Sequence, residues 1–252
     1  MVRLLSLARD LKRRRARERE GVFVIEGVRA VEELLRSRLS VRGILVAPKL
    51  VDSTRGSDLV EAARSRGIEI AELDEKEFRS AAETDSPQGI VAIAETPKRS
   101  VSTLSTTGPM RLVLLDAVQD PGNVGTIIRT AAALGANATI ALPGSVDVWN
   151  AKVVRSAMGA HFHHPAFHAS WEDVESFLTG TSTPLWAADA GGEKLPDKAP
   201  SRLALAVGNE GGGLSPAVRA ASARVVSLPI ADMIESLNVA VATGILLHEL
   251  RP

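Results

Sequence analysis

Three times between residues 111 and 250 an apolar run fit for a buried strand empties into a polar loop and then a helical pattern. The runs are Leu114-Leu115, Leu205-Ala206-Val207 and Val226-Ser227-Leu228, and the polar residues behind them include Asn123, Glu210 and Asn238. Repeated strand–loop–helix units confine a chain to a mostly parallel sheet with helices on both faces, because parallel neighbours need a crossover connection. Such open α/β sheets bind ligands in the crevice outside the carboxyl ends of their strands. The three loops are therefore expected to converge on one crevice.

The stretch Gly208-Asn209-Glu210-Gly211-Gly212-Gly213-Leu214 is the most informative of the three. Glycine has no Cβ, so a ligand can press against bare backbone there. Two familiar readings fail: Leu214 stands where a P-loop needs its lysine, and Glu210 occupies the second glycine position of a dinucleotide fingerprint. Taken singly, Asn123 and Asn238 read as helix N-caps, Arg129 as a solvated helix arginine and Glu210 as a turn carboxylate. Their joint occurrence in order is what argues for a site.

The patterns N-x-G-x-x-x-R at 123–129, G-N-E-G-x-G-L at 208–214 and L-P-I…S-L-N-V at 228–239 closely resemble the three motifs of the SpoU/TrmH RNA 2′-O-methyltransferases of the SPOUT superfamily. Ala240, where the family commonly has serine, is a mild departure. The resemblance implies an S-adenosyl-L-methionine-dependent enzyme that methylates a ribose 2′-hydroxyl in RNA, with 23S ribosomal RNA preferred over transfer RNA as substrate. It assigns catalytic positions to Asn123, Arg129, Glu210, Ser236 and Asn238, and cofactor contacts to Gly208, Leu228, Ile230 and Leu237. It also implies a deep trefoil knot over residues 203–250 and a two-fold homodimer. A guanidinium is effectively always protonated, so Arg129 is expected to clamp the substrate phosphate or ribose rather than act as a base. The rival reading is a non-catalytic RNA-binding assembly protein that keeps the fold; intact Arg129, Glu210, Ser236 and Asn238 argue against it.

The sequence ahead of this half has its own pattern. Strands are expected at 22–25, 41–46, 68–70 and 89–94, with helices at 28–35 and around 59–64, which makes a small α/β unit. Ser, Thr, Pro and Gly without periodicity at 96–110 read as a linker. The expected domains are thus a basic arm at 1–20, a small α/β RNA-substrate-binding domain at 21–95, the linker, and the SPOUT domain at 111–252. Several SpoU enzymes resemble this layout, with a ribosomal-protein-like domain in front. In the second half, strands are expected at 111–115, 138–141, 161–167, 184–188, 203–207 and 225–228, and helices at 123–134 and 238–250.

Charge is neutral overall but uneven. Residues 1–20 hold eight basic side chains against three acidic ones, and Leu4, Leu7, Ala8 and Leu11 recur at helical spacing. A solvated tail is the ordinary reading of such a run; beside an RNA-modifying domain, Lys12, Arg13, Arg14, Arg15 and Arg17 become candidate phosphate contacts. The chain has no cysteine, which excludes disulfides, thiolate metal sites and a cysteine nucleophile and fits a cytoplasmic protein. No apolar run is long enough for a membrane span. With aromatics at 3% and no tyrosine, a broad base-stacking platform is not expected. His161 and His163 would share one face of a strand and could hold a metal, but no carboxylate or thiol follows at ligand spacing. No metal site is expected.

Overall fold

The computed structural model describes residues 2–231 and 233–251. Its chain divides into two compact units: residues 1–98 with 149–162, and residues 99–148 with 163–252. The boundary after Lys98 falls inside the segment read as linker.

The first unit begins with helices α1 (Val2–Asp10) and α2 (Arg14–Glu20). Strand β1 (Val22–Glu26), α3 (Val28–Arg36), β2 (Val41–Val46), α4 (Pro48–Val51) and α5 (Thr54–Arg64) follow, then β3 (Ile70–Glu72), α6 (Glu75–Ala81) and β4 (Ile90–Glu95). The sheet order is β1-β4-β2-β3, antiparallel except for the β2–β3 pair. Every residue of β1 is buried, so both faces of that strand are covered.

The basic segment is where sequence and structure part. Leu4, Leu5, Ala8 and Leu11 are buried in one core with Val22, Val24, Phe78 and Ile93, so residues 2–20 are a layer of the domain and not an arm ahead of it. The apolar spacing noted above is the spacing of that buried face. Arg17 is also corrected: it is 7% exposed, and its Nη1 donates to the carbonyls of Leu11 (2.6 Å) and Lys12 (3.1 Å). These acceptors lie just past the end of α1, where helix carbonyls lack partners. Lys12 Nζ donates to the Ala82 carbonyl at 2.8 Å. Arg13 pairs with Asp10 and Arg14 with Glu18 on the surface, and Arg15 is exposed.

The second unit contains β5 (Met110–Asp116), α7 (Pro121–Ala133) and β6 (Ala138–Ala141); the chain then runs into α8 (Ala151–Ser156) before β7 (Ala166–His168). Next come α9 (Trp171–Gly180), β8 (Leu185–Lys194), β9 (Arg202–Gly208), α10 (Pro216–Ala221), β10 (Arg224–Ser227) and α11 (Val239–Glu249). All six strands are parallel, in the order β10-β8-β9-β5-β6-β7. Leu112 and Leu114 pack in one cluster with Val174 and Leu178 of α9 and Val218 of α10. Side chains alternate along a strand, which leaves Val113 and Leu115 for the opposite face, where α7 and α11 pack together.

Residues 149–162, α8 included, join the first unit. Trp149 lies 4.4 Å from Phe23 between ring centroids, and Phe162 lies 6.4 Å from it. The strand expected at 161–167 is therefore two different things, a 3-10 turn at Ala160–Phe162 and β7 at Ala166–His168. Met158 and Gly159 both take positive φ (52° and 87°) just before the turn, which no strand tolerates. His161 and His163 thus share no strand face.

Candidate active site

The carboxyl ends of β9 and β10 flank β8, whose Ala188, Asp189 and Ala190 face the space between them, because those strands are adjacent and parallel. A cavity of about 480 Å³ opens there, walled by Gly208, Leu228, Ile230, Leu237 and Leu246, with Glu210, Ser236 and Asn238 also on its lining. This is within the size range of small-molecule sites.

The loop after β9 is held by its own side chains. Asn209 Oδ1 accepts from the backbone N–H groups of Gly211 (2.9 Å) and Gly212 (2.8 Å), while its Nδ2 donates to the Ala117 carbonyl (2.9 Å). Asn209 and Gly213 also exchange both backbone hydrogen bonds at 2.9 Å. The chain returns so close that a Cβ at Gly208 would sit 2.4–2.6 Å from the Gly213–Leu214 backbone. Only glycine fits there. Buried Asp116, at the end of β5, closes the loop by accepting from Ser215 N at 2.6 Å.

Three motif side chains meet at the rim. Asn123 Nδ2 donates to Glu210 Oε1 at 2.7 Å, and Asn238 Nδ2 donates to Asn123 Oδ1 at 2.9 Å. Asn238 Oδ1 in turn accepts from Ala240 N (2.9 Å) and Val241 N (3.3 Å), the first free donors of α11. Asn238 is thus a helix cap and a site residue at once. Asn123 is not a cap: Asp120 holds that place, accepting from Asn123 N at 2.7 Å with Pro121 in the first helical turn. Arg129 lies on α7, solvent-exposed, and neither it nor Asn123 lines the cavity.

Sequence reasoning missed Asp189, which lines the same cavity midway along β8. The Gly191 backbone N–H (2.9 Å) and the Arg219 guanidinium (2.6 Å) hold its carboxyl below the usual carboxylate range. Its signal was Ala188-Asp189-Ala190-Gly191-Gly192, a carboxylate and a glycine pair directly behind an apolar run. Among the described residues no group of three or more histidines and carboxylates is placed to hold a metal ion.

Residues 110–248 match the model of the SpoU rRNA Methylase family, and residues 6–92 match that of the MRM3-like substrate binding domain. The 23S rRNA (guanosine(2553)-2′-O)-methyltransferase RlmP of Bacillus subtilis is 36% identical, over 96% of this chain and 94% of its own. The 23S rRNA (uridine(2479)-2′-O)-methyltransferase of Streptomyces viridochromogenes is 31% identical, over 95% and 85% of the two chains. The crystal structure of the SpoU methyltransferase AviRb from Streptomyces viridochromogenes in complex with AdoMet superposes with a TM-score of 0.89 at 28% identity, covering 98% of this chain and 96% of that one.

Proposed function

Because the chain belongs to the SpoU rRNA methylase family, we propose that it transfers a methyl group from S-adenosylmethionine to a ribose 2′-hydroxyl of 23S ribosomal RNA. The observation that carries this reading is the Glu210–Asn123–Asn238 chain of hydrogen bonds at the rim of a cavity walled by apolar side chains and glycine backbone. The cavity suits the cofactor: Leu228, Ile230, Leu237 and Leu246 offer apolar surface, and Glu210 and Asp189 supply negative charge for a cationic ligand. When bound, S-adenosylmethionine supplies the electrophilic methyl on a sulfonium.

This chain's own residues then position and polarise. Glu210, Ser236 and Asn238 present fixed acceptors and donors toward the acceptor ribose, and prearranged dipoles of this kind need no reorganisation during reaction. Arg129 clamps the substrate phosphate or ribose. A second copy completes the site around a two-fold axis. Its support is the apolar surface that Leu237, Val241 and Ile245 leave open, together with the place of Arg129 outside its own chain's cavity lining. Exposed Arg13, Arg14 and Arg15 add phosphate contacts in this reading, residues 203–250 thread the family's trefoil knot, and the enzyme works in the cytoplasm.

The test is a map of 2′-O-methyl positions in RNA from cells with and without this gene. Loss of one 23S mark is expected. An unchanged 23S map, or a mark lost from transfer RNA instead, overturns the assignment.

A further inference from the structure

A second cavity, of about 1290 Å³, opens within the first unit. Its walls come from the start of α3, the 49–55 turn, the 84–88 loop and α8. Five cations face it against three carboxylates, and the carboxylates are engaged. Glu32 takes both nitrogens of the Arg55 fork at 2.6 Å, and Glu33 holds Arg36 at 2.6 Å. Buried Glu26 accepts from Glu83 N (2.7 Å) and the Thr84 hydroxyl. That leaves Arg29, Lys49 and Arg155, none of which makes an ion pair among the described residues. Arg155 goes further: its Nη1 is shielded from solvent and makes no hydrogen bond. A buried donor without an acceptor is costly, and the residue that carries it lines the cleft.

The cleft is preformed. Gln88 Oε1 accepts from Val28 N at 2.9 Å, fixing the 84–88 loop against the start of α3, and Gly27 turns at φ 106° beneath it. Its volume far exceeds one phosphate, and no aromatic ring lines it. Separated cations without a stacking surface suit a sugar–phosphate backbone and not unstacked bases.

We infer that this cleft clamps the phosphate backbone of the substrate RNA, and that Arg155, from within the methylase half of the sequence, completes the clamp. The inference deepens the reading of the protein as an RNA methyltransferase and rests on it. Position without sequence readout is the role such contacts play.

The full-length protein decides it, with a 23S rRNA transcript as probe and poly-glutamate as the competing acidic chain. Replacing Arg29, Lys49 and Arg155 together by Gln should lower the slope of log binding constant against log salt by about two to three units, since each phosphate contact contributes roughly 0.7–0.9. The KM for RNA should rise and S-adenosylmethionine affinity should not change. R29Q/K49Q touches only exposed side chains and should account for about two thirds of that drop in slope, which keeps the test valid if the triple variant misfolds. A slope that stays at the wild-type value in a folded variant overturns the clamp. So does loss of poly-glutamate binding with RNA binding intact, which would make the cleft a site for an acidic protein. If wild type neither binds nor methylates the transcript, the underlying enzyme reading fails instead.

Discussion

The cavity of the second unit is walled by leucine, isoleucine and glycine backbone around Glu210 and Asp189, while the cleft of the first unit is walled by guanidinium and ammonium groups. One suits a compact ligand with apolar parts and a cationic centre; the other suits an extended polyanion. The difference follows from where each sits. Adjacent parallel strands put loop backbone and apolar side chains at one sheet edge. The cationic cleft needs helix starts and a distant helix, α8, to bring long side chains together. A chain can therefore tune cofactor and RNA affinity through different residues.

The largest expected effect tests whether the basic segment belongs to the first unit. Leu11→Ala removes a side chain that is 1% exposed and should cost about 2–5 kcal/mol of stability in denaturant unfolding. S-adenosylmethionine affinity in native buffer should stay at the wild-type value. A cost under about 0.5 kcal/mol would restore the free-arm reading.

Arg129→Ala should lower methyl transfer by about two orders of magnitude while leaving cofactor affinity nearly intact. A tritium-transfer assay beside calorimetry separates the two, and normal transfer would remove Arg129 from the site. Leu237→Arg does the opposite kind of damage. It puts a charged chain into the apolar wall and should weaken cofactor binding by at least about tenfold, or 1.4 kcal/mol, with RNA binding retained. Light scattering on wild type should give a dimer; a fully active monomer would sink the two-fold site.

The last test is a pH dependence confined to the second unit. Burial lowers the His164 pKa from its ordinary 6.5 to about 4, and its Nε2 sits 2.9 Å from the Thr139 hydroxyl. Between pH 6.5 and 4 the unfolded chain takes up this proton and the folded one does not. Stability should therefore fall on acidification across that window, by up to about 1.4 kcal/mol per pH unit. His164→Gln should flatten that component; an unchanged profile would show that His164 is not its source.

Much of the second unit was legible because its chemistry lies in contiguous loops. Asn123, Glu210 and Asn238 each lie in the connection that follows a strand of the sheet, so sequence order and the parallel-sheet rule place them together. Leu228, Ile230 and Leu237 came with the same loops. Asp189 escaped because β8 runs on past the expected end at residue 188 to Lys194, with a register shift opposite Val225–Val226. Arg155 escaped for a deeper reason. Nothing local says that residues 149–162 leave the sheet that flanks them in sequence; that is decided by Trp149 and Phe162 packing on Phe23. The basic segment misled in the same way. Its leucine spacing is helical as expected, but the layer it covers is completed by residues as far along the chain as Phe78, Val91 and Ile93.

The rim of three side chains has a sense of direction. Asn238 must turn its oxygen toward the first turn of α11, so its amide nitrogen can only face Asn123. That in turn obliges Asn123 to show its own nitrogen to Glu210. Neither amide can rotate without stranding its neighbour. The arrangement works as a ratchet of donors that ends on a carboxylate and begins on a helix, across 115 positions of sequence between Asn123 and Asn238. Asn238→Asp would break it without changing its shape, since aspartate keeps the cap but has no N–H to donate to Asn123. In the wild type any occupant that draws Glu210 away is felt as a loosened first turn of α11, a signal that amide hydrogen exchange at Ala240 and Val241 can read; in the variant that signal should be gone.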